Sequence, residues 1–193
     1  MCISRRIYED VRSLKLLDID GYQQDGSNKH FFPHSFHQFI HAEALVDRNC
    51  DYDALLDDYF SLLFGKDYKQ VLAYLNGVSE AFGEKYMAGE DSADPAMGTH
   101  YNPQRAIELR KVNELAATAR ALAKKNAIMP NRPQTVSWRL LNRYADWLDW
   151  MANIVIEKAK GNDWKARELA EQFRVEFGKY EIEMERYYEH GMC

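Results

Sequence analysis

Ile19-Asp20-Gly21-Tyr22-Gln23-Gln24-Asp25-Gly26 is the stretch on which the fold of this 193-residue chain turns. It reads as a brief strand, Ile19 to Gln23, running into a turn at Asp25-Gly26. One strand does not make a sheet. Its backbone N–H and C=O groups need neighbours on either side. No other segment alternates apolar and polar residues well enough to supply them. The stretch is then either an extended connector or, the reading favoured here, an orphan strand whose sheet is encoded outside these residues.

The residues on either side are helical in pattern. Upstream, Ile7, Val11, Leu14 and Leu17 recur at three and four and make a short helix. Downstream, Tyr52, Leu56, Tyr59 and Leu63 form a stripe opened by Asp51 and Asp53 and closed by Gly65. Val71, Leu75, Val78, Phe82 and Tyr86 form the next, before a Gly-, Pro- and Ser-bearing loop from Gly89 to His100. Asn102 caps and Pro103 opens a helix with inner face Leu109, Val112, Ala116, Ala119 and Ala123, ending near Asn126. The longest stripe runs Leu141, Tyr144, Leu148, Met151 and Val155 up to Gly161, and the last is Leu169, Phe173, Phe177, Tyr180, Met184 and Tyr187. Amphipathic helices joined by short turns bury their apolar faces by packing antiparallel. The expected fold is all-α, an antiparallel helical bundle over 33–193, with residues 1–32 as a helix-strand appendage and loop. No fixed repeat marks a solenoid.

Composition narrows function mainly by exclusion. With 46% hydrophobic residues the chain can fill one core. Thirty acidic against 25 basic residues leave a net charge of -5, and no basic field holds a phosphate backbone, so nucleic acid is not an expected partner. No apolar run reaches the ~20 residues of a membrane span, and Met1 to Asp10 lacks the apolar stretch of a signal peptide. Cys2, Cys50 and Cys193 are far apart and form no disulfide framework or paired zinc motif. These features fit a cytoplasmic protein. There is no GxGxxG, phosphate loop or GxSxG elbow, so no cofactor is implied and the chain alone is not expected to be catalytic.

Three groups of side chains invite chemistry. His34, His37 and His41, in a set with His30, fall at i, i+3 and i+7 of a helix beginning near Pro33, a face that could hold zinc. The set lacks an HExxH arrangement, and the bland reading is a half-exposed flank beside Phe36, Phe39 and Ile40. Adjacent Asp57-Asp58 diverge, and Glu181 and Glu185 share a solvated face. Tyr144, Trp147 and Trp150 read as packing residues, and Trp164 as a plug for the bundle end.

Gly21-Tyr22-Gln23-Gln24-Asp25-Gly26, Phe31-Phe32-Pro33-His34, Ala42-Glu43-Ala44-Leu45, Asp51-Tyr52-Asp53, Asp58-Tyr59-Phe60, Phe64-Gly65 and Tyr74-Leu75 carry a resemblance. Together they resemble the C-terminal part of a bacterial family of glycoside-hydrolase-like proteins with a domain of unknown function, related to the α-glucuronidase type of barrel. The resemblance implies a (β/α)8 barrel followed by a helical C-terminal domain, with carbohydrate as substrate. Tyr8 to Leu17 and Ile19 to Gln23 would then be the remnant of the barrel's last helix-strand unit. Gln23, Gln24 and Asp25 would lie at the substrate rim, with His34 facing a sugar. Without the resemblance, 23–28 is simply a turn. The implied role is a non-catalytic buttress of a missing N-terminal barrel. The alternatives are a free-standing helical module, homo-oligomeric through its uncovered apolar surface, and a metal-binding protein built on the histidines. An upstream reading frame with strand-helix alternation is expected for the buttress, and an immediate upstream stop codon for the free-standing module.

Overall fold

A computed structural model describes residues 2–21, 23 and 33–187. Among them every regular element is helical. In chain order these are α1 (Cys2–Ser13) with a 3-10 turn (Leu14–Leu17), α2 (Phe36–Val46), α3 (Tyr52–Phe64), α4 (Tyr68–Phe82) and α5 (Glu84–Met87). They continue with α6 (Pro103–Glu108), α7 (Arg110–Lys125), α8 (Arg132–Ala159), α9 (Asp163–Gly178) and α10 (Glu181–Met184).

The strand expected from Ile19 to Gln23 is absent among the described residues, and the barrel remnant goes with it. Ile19, Asp20, Gly21 and Gln23 are coil. The reason lies just upstream. Asp18 takes the left-handed backbone, φ 54, and closes the 3-10 turn. The Asp18 N–H donates to Lys15 O at 3.4 Å and the Ile19 N–H to Leu14 O at 3.0 Å, the paired bonds of a Schellman close. These donors finish a helix instead of opening a ladder. The exposed Lys15–Asp20 ion pair, 2.7 Å, folds the following residues back on the same turn.

α8 is the axis of the bundle. Its 28 residues span about 42 Å at the helical rise, and α3, α6, α7 and α9 all pack on it, with α4 on α7. The cross-links show the helices running antiparallel: Asn113 and Arg120 of α7 reach Asp149 of α8, while Trp150 meets Phe173 and Arg143 meets Glu183 further along the chain. Small residues set the spacing. Ala116, Ala119 and Ala123 on α7, and Ala145, Ala152 and Ala159 on α8, are buried, so backbones approach closely with little side chain between them.

The end built by α1, α2 and α3 is instead aromatic. Phe36 meets Tyr52, Tyr59 and Phe60 at ring separations of 5.4–5.7 Å, and Phe64 stands edge-on to Trp138 at 5.1 Å. Tyr8 extends this cluster from α1, 5.3 Å from the Tyr52 ring, and its hydroxyl donates to Cys50 O at 2.6 Å.

Helix ends follow local chemistry. The Asp51 carboxylate accepts from the N–H groups of Asp53 and Ala54, and Gly65, φ 63, ends α3. Asn102 caps α6 through the Arg105 N–H. The stripe expected to continue through Tyr86 breaks at Gly83, φ 66. There Arg105 donates to the otherwise unmet carbonyls of Ala81 and Phe82 at 2.9 and 2.8 Å. Trp164, expected to plug the bundle, is 69% exposed: it falls in the first turn of α9 on the face opposite Ala166, Phe173 and Phe177.

Candidate functional site

The residues singled out from the sequence are scattered. Gln23 is exposed coil, and Gln24, Asp25 and His30 lie outside the described residues. His34 precedes α2, because that helix begins at Phe36 and not near Pro33. Its Nδ1 accepts the Phe36 N–H at 3.2 Å, and its ring stands edge-on to Phe60 at 5.0 Å. Protein packed around the ring, with His37 nearby, holds its pKa down to about 3, so the imidazole is neutral. His37 and His41, one turn apart on α2, line a cleft of about 320 Å³ against Ile7, Asp10, Val11 and Leu14. His34 is not part of that wall. No group of three His, Cys, Asp or Glu among the described residues is placed to hold a metal ion. Asp57, Asp58, Glu181 and Glu185 are exposed, and none faces a partner across a pocket in the way general acid and base work requires.

A charged seam crosses α7, α8 and α10. Asp149 accepts from Asn113 at 2.9 Å and pairs with Arg120 at 2.5 Å; Arg120 also reaches Asp146 at 3.5 Å. Arg143 bridges Asp146, 3.5 Å, to Glu183, 3.1 Å, and lies 3.9 Å over the Tyr180 ring. Arg139 closes the row on Glu183 at 3.4 Å. Beside it Tyr144 and Trp147 stack at 5.7 Å, and the buried Tyr74 hydroxyl has no hydrogen-bond partner among the described residues. Burial pushes the Tyr74 pKa up and that of Tyr144 to about 12. Between Lys124 and Arg139 the α7/α8 seam opens into a groove of about 620 Å³, with Trp138 in its wall.

A second buried charge is structural. Asp67 accepts from Lys125 at 2.8 Å, Asn126 at 2.9 Å and Gln70 at 3.1 Å, tying the start of α4 to the end of α7. The Lys125 and Asn126 hydrogen bonds hold its pKa below the usual carboxylate range.

Sequence reasoning missed an apolar edge. Leu16 and Val46 are 81% and 88% exposed, and Leu17 and Leu45 beside them are exposed too. Leu16 shares a cleft with Arg48 and Asn49, the residues just after α2, so the two helix ends are neighbours. The adjacent apolar pairs Leu16-Leu17 and Leu45-Val46 were visible in the sequence, but a one-sided stripe would bury one member of each, and only the structure shows both members exposed.

Fold and surface define a class, an all-α bundle with an aromatic core and an exposed apolar edge. Beyond that class, the chain matches no protein-family model, no curated protein and no solved structure. No helix among the described residues is long and apolar enough to cross a membrane.

Proposed function

We propose that this chain is a helical interaction module that self-associates through the edge formed by Leu16, Leu17, Leu45 and Val46. The observation that carries the reading is that edge: four large apolar side chains at two neighbouring helix ends, left in water. Covering one Leu or Val side chain is worth roughly 1.5–3 kcal/mol, and a patch of this kind marks a contact surface more often than idle surface. A second copy offers the same patch, and a two-fold arrangement sets each edge against its twin. The mixed charges around it, Glu9, Arg12 and Arg48, would form the polar rim of such a contact.

Sedimentation velocity over a concentration series tests this. The wild type is expected to shift from 22.6 kDa toward twice that mass as concentration rises. Leu16→Glu with Val46→Glu is expected to remain monomeric while keeping its helical circular dichroism. A wild type that stays monomeric throughout, or a double variant that associates as before, rejects the edge as the contact.

A further inference from the structure

We infer that the groove between the end of α7 and the start of α8 is a binding site for a small organic anion with an apolar body. Its walls are apolar: Trp138, completely buried, and Ala127 lie along it, and the space is about 620 Å³. That size suits a compact ligand with a body of about ten carbons. The polar groups at its mouth are one-signed. Arg120, Lys124 and Arg139 line it together with the neutral Thr135 and Asn142, and no aspartate or glutamate among the described residues does.

These cations differ in how far they are already engaged. Arg120 is held by Asp149 and Asp146. Arg139 touches Glu183 at 3.4 Å yet keeps 51% of its side chain in water. Lys124 is exposed and makes no ion pair with any described residue. The mouth therefore carries positive charge in a chain whose net charge is -5. A carboxylate or sulfonate gains from Lys124 and Arg139 at the rim, while a cation of the same shape is repelled. The Trp138 Nε1–H is an additional buried donor with no acceptor among the described residues. Exposed Ala127 at the groove's edge leaves the space open, and a larger side chain there would fill it.

The test uses the whole chain and three probes of equal length: decanoate, decanol and decyltrimethylammonium. Binding is read from the indole N–H signals in nitrogen-proton correlation spectra, with Trp138 assigned by Trp138→Phe. Decanoate is expected to shift the Trp138 signal saturably and to leave that of exposed Trp164 in place. Lys124→Ala with Arg139→Ala is expected to raise the apparent Kd about tenfold, and Ala127→Trp to abolish the shift. The Leu16→Glu, Val46→Glu variant should bind decanoate unchanged, which separates this site from the self-association edge. Equal effects of the three probes, a decanoate response that never saturates, or full binding by the Ala127→Trp variant would overturn the assignment.

Discussion

Gly83 shows how much can rest on one missing side chain. Its φ of 66 lies where L residues are strained, and a Cβ there would run into the Arg105 guanidinium that closes the end of α4. Gly83→Ala should therefore destabilise the chain by about 2 kcal/mol, measured by urea denaturation, with α4 fraying first in hydrogen exchange. Asp67→Ala removes the acceptor shared by Lys125 and Asn126 and leaves the buried Asn126 amide with only its bond to Leu122 O, at an expected cost of about 2 kcal/mol. Asp67→Asn should recover part of that. His34 and Asp67 also set the response to acid. The His34 pKa is depressed from 6.5 to about 3, so its neutral ring supports the fold fully above pH 6.5 and progressively less as pH falls toward 3. The Asp67 carboxylate, also depressed, loses its contribution at the lower end of the same descent. His34→Phe keeps a ring against Phe60 but cannot charge. Its urea midpoint should change less between pH 7 and 4.5 than that of the wild type, and equal changes would show that His34 is not the titrating group.

At the scale of elements, legibility followed the kind of signal each segment carries. The inner face of α7, from Val112 to Ala123, and the ends at Gly65, Asn102 and Gly161 were readable because one-sided periodicity and capping chemistry are local. Close α7/α8 packing followed from the same alanines, and Ala116→Leu should cost about 1–3 kcal/mol by overpacking. Thermal melts of that variant against Ala116→Ser would separate bulk from mere change. Ile19 to Gln23 misled because five residues of alternation look alike in a strand and in the wrap of a helix end, and only the Asp18 backbone decides. The three histidines part company for a similar reason. Starting α2 at Phe36 instead of Pro33 takes His34 off the helix and leaves His37 and His41 with Asp10 across a cleft. The groove beside Lys124 and Arg139 was illegible, since it depends on how the end of α7 and the start of α8 diverge as they pack, which no local pattern of residues encodes.

For the whole molecule the balance is between a well-filled interior and an unfinished exterior. α3, α4, α7, α8 and the aromatic cluster share one continuous core, so the bundle needs nothing more to hide. Other large apolar side chains, such as Ile128 and Ile182, are exposed too, but the edge at the close of α1 and α2 places four of them at two neighbouring helix ends, and a self-associating module is the role that would cover it. Hydrogen-exchange mass spectrometry at low and high protein concentration tests that claim most directly. Peptides covering 10–18 and 40–48 should gain protection as concentration rises, while those from α8 stay constant. Protection that is independent of concentration at both helix ends, or a gain confined to α9, would contradict it.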